Sequence, residues 1–377
     1  MIQAINTSAD VSADTSAPTV RVRFAEHSAF HRDLKMRVEA YLDRPGSRRR
    51  DLPRMYLKTA VILIWFVGSW ALLVFGARTA WQAVLLSISL GLSGAAVGMG
   101  VQHDANHGAY SKHAWINRVF GFTLDMMGVC SFMWRQKHNT IHHTFTNVKG
   151  IDLDLDLGSL ARLSPEQPRR PWQRYQHLYL WILYGFLLPK WVFFDDLIVL
   201  GSRKMGPHPL SRLDGKERAL FVFWKLVFVG WSIVVPAFFH PLWQVLVFHL
   251  LAAFTLGVTL STVFQLAHCV EEAGFPAAPS DQRMKNDWAV HQIETTVDFA
   301  RKNALLTWFL GGLSFQVEHH LFPKVCHLHY PALSRIVEEV SRKHGVHYRT
   351  NATLRSAVAS HFHHLRKLGR PVEQLTA

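Results

Sequence analysis

Three histidine clusters and one isolated histidine carry the strongest chemical signal in this chain. The first cluster, His103-Asp-Ala-Asn-His107, puts two imidazoles on one face of a helix through its i, i+4 spacing. The second, His138-Asn-Thr-Ile-His142-His143, repeats that step and adds an adjacent ring. The third, Gln316-Val-Glu-His319-His320, sets Gln316, His319 and His320 at i, i+3, i+4, again on one face. His268 stands alone in Phe264-Gln-Leu-Ala-His268-Cys269. Neutral imidazole suits iron, zinc, copper and nickel, and an adjacent His-His pair lets one helix serve two neighbouring ions. Eight histidines exceed the roughly four to six donors that one ion accepts, so the pattern implies two metals.

Apolar helices must position these groups. Of the 377 residues, 49% are hydrophobic, and they come in blocks of membrane length. Residues 59 to 76, 81 to 101 and 243 to 264 contain no Lys, Arg, Asp or Glu, and 219 to 239 contains only Lys225, which either snorkels or faces a protein interior. Short connections join these blocks as two helical hairpins. The segments 116 to 134 and 178 to 188 are too polar or too short to span and read as helices lying in the interface.

The chain carries 41 Lys plus Arg against 27 Asp plus Glu, a formal charge of +14, and 39 of the 41 lie outside the spans and hairpin tips. This asymmetry predicts that both termini and the middle segment face the cytoplasm, where basic residues concentrate and attract anionic lipid. Every histidine cluster falls in those segments. Cys130, Cys269 and Cys326 are too few and too scattered for a disulfide framework. The first twenty residues lack an apolar core, which excludes a signal peptide and predicts a disordered tail.

The sequences HDANHG, HNTIHHTFTN and QVEHHLFP, in this order, with one hairpin before the first and the other separating the first two from the third, resemble the histidine boxes of the membrane fatty acid desaturases. That family is part of a superfamily of integral-membrane di-iron desaturases and hydroxylases. Gln316 in place of a third-box histidine, the stretch HQIETTVDFA and the tail HHLFPKVCHLHYPAL are similar to front-end and related bacterial acyl desaturases.

The resemblance implies an all-α integral membrane protein of four transmembrane helices in two hairpins, with a cytoplasmic helical cap carrying the boxes. It implies a desaturase domain over 21 to 346, followed by a basic C-terminal helix and tail over 347 to 377. Two non-haem iron ions would be held by His103, His107, His138, His142, His143, His268, His319 and His320. The substrate would be a fatty acyl chain on CoA or lipid, with dioxygen as oxidant and the bacterial inner membrane as location; nucleic acid has no part. Many front-end members carry a fused cytochrome b5 domain with a His-Pro-Gly-Gly motif. That motif is absent here, so electrons are expected from a separate ferredoxin, rubredoxin or cytochrome b5 type protein.

Desaturation of unactivated methylenes needs a strong oxidant that no side chain supplies, so the metals carry the redox chemistry and the protein fixes ligands and substrate. Asp104, Asn147, Asp152, Asp154 and Glu318 are placed to orient ligating imidazoles, and His291 either does the same or ligates. Gln316 is expected to be a weak ligand, because an amide oxygen donates to iron less well than imidazole. Asp156, Asn139 and Thr140 read as solvated or helix-face polar residues. Trp134, Phe132 and Phe315 are tunnel or packing residues, and His327, His329 and the intramembrane His249 read as structural hydrogen-bonders. His361, His363 and His364 lie in a basic helix, Thr353 to Lys367, read as a membrane-surface face. A hydroxylase of the same superfamily uses the same ligands and remains an alternative. A membrane metal transporter is the alternative from another class, but it would need ionisable residues along the spans.

Overall fold

The computed structural model describes residues 22–45, 47–278 and 282–371, so the expected N-terminal tail lies outside the described residues. In chain order, the helices that build or support the site are α1 (Ala29–Leu42), α2 (Pro53–Gly76), α3 (Ala80–His107), α4 (Gln176–Tyr184), α5 (Gly215–Ala237) and α6 (Leu242–His268). They are followed by α7 (Trp288–Thr295), α8 (Gln316–Leu321), α9 (Tyr330–Lys343) and α10 (Leu354–Gly369).

Among the described residues, α2, α3, α5 and α6 are long and apolar enough to cross a hydrocarbon core. Their starts carry recognisable signals. Pro53 opens α2, and the Glu217 amide donates to Asp214 Oδ1 at 2.7 Å before α5. On α2, Leu57, Val61, Ile64, Val67 and Leu72 are exposed at helical spacing, and Val222, Phe223, Leu226 and Val229 are exposed on α5. Apolar stripes of this length are surfaces for lipid rather than water.

α3 is the central helix, flanked by α2 and α6. A Cβ at Gly91 would stand 2.5 Å from the Ala252 carbonyl oxygen, so the α3 and α6 backbones touch there because the residue is glycine. The first pair of spans packs side by side. The second differs, since α5 meets α6 mainly near their joining turn and leans on Thr123–Met126 instead. Its polar residues explain the difference: Lys225 donates to the carbonyls of Gly128 and Val192 and to Asp196 at 2.6, 2.9 and 2.8 Å, while Trp231 Nε1 donates to Met126 O at 2.8 Å. Lys225 therefore faces the protein and does not snorkel.

The segment 116 to 134 breaks into Ala114–Gly121, Thr123–Met126 and Ser131–Arg135, and the apolar run after residue 176 ends in α4 and Leu187–Lys190. None is long enough to cross. The remaining helices gather around the C-terminal ends of α3 and α6. Two minimal strand pairs interrupt the helical architecture, Asp298–Phe299 parallel to Thr350–Asn351 and Lys204–Met205 antiparallel to His208–Pro209. The three cysteines are buried and free.

Candidate metal centre

α3 delivers the first box through a change of pitch. Gly98–Gln102 forms a π-turn just before His103, and Gln102 Nε2 caps the loosened ladder by donating to Gly98 O at 2.8 Å. The rings of His103 and His107 then lie 4.7 Å apart. The second box departs from the expected α-helical step, because Gln136–His142 is itself a π-helix. Its wider turn faces His138 towards His143, with their Nε2 atoms 3.2 Å apart, and leaves His142 to face another partner set. Asn139 has a role that sequence did not assign: its amide donates to Asn106 O at 3.0 Å, and Arg135 donates to Asn106 Oδ1 at 2.9 Å, fastening the second box to the first.

α6 runs without interruption to His268. The third box is the short helix α8, whose Val317 amide donates to Asp298 Oδ1 at 2.9 Å. Before it, Gly311 takes φ +61, and a Cβ there would lie 2.2 Å from Met99 O. Only glycine lets this loop press against the π-turn of α3.

All eight expected histidines converge, and every one is buried. Donor atoms of His103, His107, His138 and His319 lie within 4.8 Å of one another, as do those of His142, His268 and His320. His143 joins the groups, its donor atom lying within 4.8 Å of those of both His319 and His320. Gln316 Nε2 approaches His268 Nε2 at 3.1 Å, which puts its amide at the edge of the second group.

Four of the rings have their outer Nδ1 atoms held. His142 Nδ1 meets Asp152 Oδ2 at 3.0 Å, His319 Nδ1 meets the Tyr330 hydroxyl at 3.2 Å, and His320 Nδ1 donates to Gln292 Oε1 at 2.9 Å. His268 Nδ1 faces Thr295 O at 3.5 Å. These contacts assign Nε2 to the interior. There, Nε2 of His107, His319 and His320 has no hydrogen-bond partner among the described residues. Burial, reinforced by the neighbouring imidazoles, holds His138, His143, His319 and His320 well below the ordinary histidine pKa. Their lone pairs are therefore available. For His142 burial acts in the same downward direction, but Asp152 and Asp154 outweigh it and raise the pKa. Buried, unpartnered, neutral imidazole nitrogens facing a common interior are the donor set that a soft or borderline metal requires.

The expected orienting residues divide. Asp152 touches His142 directly, and Asn147, at φ +60, donates to the carbonyls of His268 and Thr295 at 2.9 and 3.2 Å. Asp154 pairs with Lys137 at 2.6 Å and lies 3.4 Å from His142 Nδ1. Asp104 does not orient a box imidazole; its carboxylate accepts from the His327 amide and Nδ1 at 3.2 and 2.9 Å, while Lys58 donates to His327 Nε2 at 2.8 Å. Glu318 also turns away and accepts from Tyr348 at 2.9 Å; burial and Asp298 push its pKa well above the carboxylate range.

His291 packs its ring 5.2 Å from that of Phe24 and belongs to none of the clustered donor sets among the described residues. Its neighbour Gln292 does the orienting work instead, donating also to His143 O at 3.1 Å. Gln292 and Tyr330 were legible only as members of the resembling stretches, with no spacing signal of their own. Trp134 stacks on His138 at 4.3 Å, whereas Phe315 joins the packing of α1, α7 and α9, and Phe132 packs beside Met205 and Leu213. His249 makes no hydrogen bond among the described residues and faces a cavity between the span tips, so it is not the satisfied histidine expected.

The family model for fatty acid desaturases matches residues 79–352. An sn-1 linoleoyl-lipid 6-desaturase from Arthrospira platensis is 37% identical over 96% of this chain and 100% of its own length. The protein of the same name from Synechocystis sp. is 37% identical over 93% of this chain and 98% of its own. An acyl-lipid (8-3)-desaturase from Physcomitrium patens is 35% identical over 93% of this chain and 74% of its own. With these likenesses across the boxes and the helices that carry them, the chain belongs to the fatty acid desaturase family and is an oxidoreductase that desaturates fatty acyl chains.

Proposed function

We propose that this desaturase holds two iron ions, one by His103, His107, His138 and His319 and the other by His142, His268 and His320, with His143 between them and Gln316 a weak donor to the second. The observation that carries this reading is the convergence of eight buried imidazoles, in which His319 and His320 keep Nε2 unpartnered among the described residues while Tyr330 and Gln292 hold their Nδ1 atoms. Iron would supply the dioxygen-derived oxidant that removes one hydrogen from each of two adjacent methylenes, with oxygen leaving as water and two electrons arriving from outside.

The chain's own residues do the positioning. Asp152, Tyr330 and Gln292 fix the rotation and tautomer of His142, His319 and His320. Trp134 walls the first group with an apolar ring, which excludes water from that side. The substrate reading is an acyl chain of a glycerolipid, desaturated between an existing double bond and the carboxyl end. It is supported by relatives named for linoleoyl-lipid and acyl-lipid substrates. The site and termini would face the cytoplasm of a bacterial inner membrane, on the strength of the basic-residue asymmetry. A separate ferredoxin, rubredoxin or cytochrome b5 type protein would then deliver the electrons.

The test is expression in a host fed linoleate, with fatty acids resolved by lipid class and analysed by gas chromatography and mass spectrometry. A new carboxyl-side double bond appearing in glycerolipid, and absent with His319→Ala, is expected. Product appearing first in the acyl-CoA pool would overturn the lipid assignment, and hydroxylated product would favour the hydroxylase chemistry.

A further inference from the structure

A second charged site lies away from the histidines. The C-terminal half of α10 docks on the start of α4 and the segment before it: Gln176 Nε2 donates to Leu365 O at 2.9 Å, and Arg162 Nη1 donates to Leu368 O at 3.0 Å. Gly369 fits so tightly that a Cβ would stand 2.3 Å from Gln173 O. This docking brings the run Arg366, Lys367 and Arg370 against the segment that carries Arg169, Arg170 and Arg174, almost 200 residues away in sequence, with Arg169 Nη1 donating to Gly369 O at 3.5 Å and Gly369 lying against Arg174.

None of these six cations forms an ion pair among the described residues. Among the described residues, Glu166 lies beside Arg162 and Glu271 lies 3.9 Å from His363. His363, Arg366, Lys367 and Arg370 line a shared surface cleft. Holding like charges together without an acid costs free energy unless an anion is supplied.

The adjoining surface identifies the source of that anion. Directly beside the cations, Trp172, Tyr175, Leu178, Ile182 and Phe186 are all exposed, and the last four follow a 3-4-4 spacing that makes one apolar helical face. Exposed aromatic and aliphatic residues continuous with a basic patch form the profile of a membrane interface, with rings at headgroup depth and cations on phosphate.

We infer that Arg169, Arg170, Arg174, Arg366, Lys367 and Arg370 form a binding site for the phosphate headgroup of an anionic membrane lipid, whose acyl part lies along the exposed face of α4. This inference does not depend on which acyl chain the enzyme desaturates. It gives α10 a task besides packing on α4: clamping the domain to one leaflet.

The test uses the full chain in nanodiscs of phosphatidylcholine doped with phosphatidylglycerol, followed by native mass spectrometry of the lipids retained on release. Each cation at an anionic surface contributes about fivefold in affinity, so Arg366→Gln/Lys367→Gln/Arg370→Gln is expected to weaken phosphatidylglycerol retention by on the order of 100-fold. Metal content and melting temperature should stay at wild-type values. Arg169→Gln/Arg170→Gln/Arg174→Gln, on the segment against which α10 docks, should reproduce the loss. Wild-type retention in both variants would overturn the inference. So would unchanged retention with a raised KM for an acidic electron donor, which would make this a protein-docking face, or displacement of the lipid by millimolar inorganic phosphate.

Discussion

Two regions of this protein are rich in histidine, and they have opposite fates. At the box cluster, rings from α3, the 136–143 segment, α6 and α8 bury together, and Nε2 of His107, His319 and His320 is unpartnered among the described residues. On α10, His361 is equally buried, but both nitrogens are satisfied: Nδ1 donates to Cys269 O at 2.6 Å, and Nε2 accepts from Tyr184 at 2.8 Å. His364 donates to Leu163 O at 3.0 Å and stacks on Phe275. The expected membrane-surface role of these two residues is therefore wrong, since they fasten α10 to α4 and to the residue after His268. His363 alone remains exposed. Burial alone does not distinguish a ligand from a structural histidine: His361 sends both nitrogens to protein partners, whereas His319 and His320 each keep one unpartnered nitrogen among clustered imidazole donors.

The sharpest break of this contrast is His142→Ala or His319→Ala. Each should abolish desaturation and remove iron from the purified protein, read by product analysis and metal assay. Asp152→Asn should keep the fold but lower activity about 10- to 100-fold, because the tautomer and basicity of His142 depend on that carboxylate. Gln316→Ala should retain iron and most activity if the amide is a weak donor; complete metal loss would make it a full ligand.

His361→Gln should leave iron content unchanged and cost about 1–3 kcal/mol in stability, the scale of a buried partner left unpaired, read by thermal unfolding. Burial first of all lowers the pKa of both His361 and His364, each to about 4, against an unfolded value near 6.5. The folded state thus binds fewer protons in this window. Stability is full above about pH 6.5 and falls as pH drops towards 4, by a few kcal/mol for the pair. In His361→Gln that acid-side loss should shrink.

Much of this was legible in the sequence, for reasons that are local. Apolar blocks free of charge predict spans wherever they occur, and i, i+4 histidines predict a shared face on any helix. The π-helix at Gln136–His142 was not legible, because its composition is that of an ordinary helix and its pitch is set by packing against Asn106 and Arg135. Nor were Gln292, Tyr330 and Lys58, whose partners lie 28, 11 and 269 residues away. Asp104 was misread because adjacency to His103 in sequence turns its side chain to a different face, towards His327. The splayed second pair of spans depended on Lys225 and Trp231 finding partners in another segment.

The most direct test is metal analysis of purified wild-type protein alongside His319→Ala and His361→Gln. About two irons per chain in wild type and His361→Gln, with marked loss in His319→Ala, is the predicted result. Active wild-type protein without iron, or equal iron in all three, would contradict it.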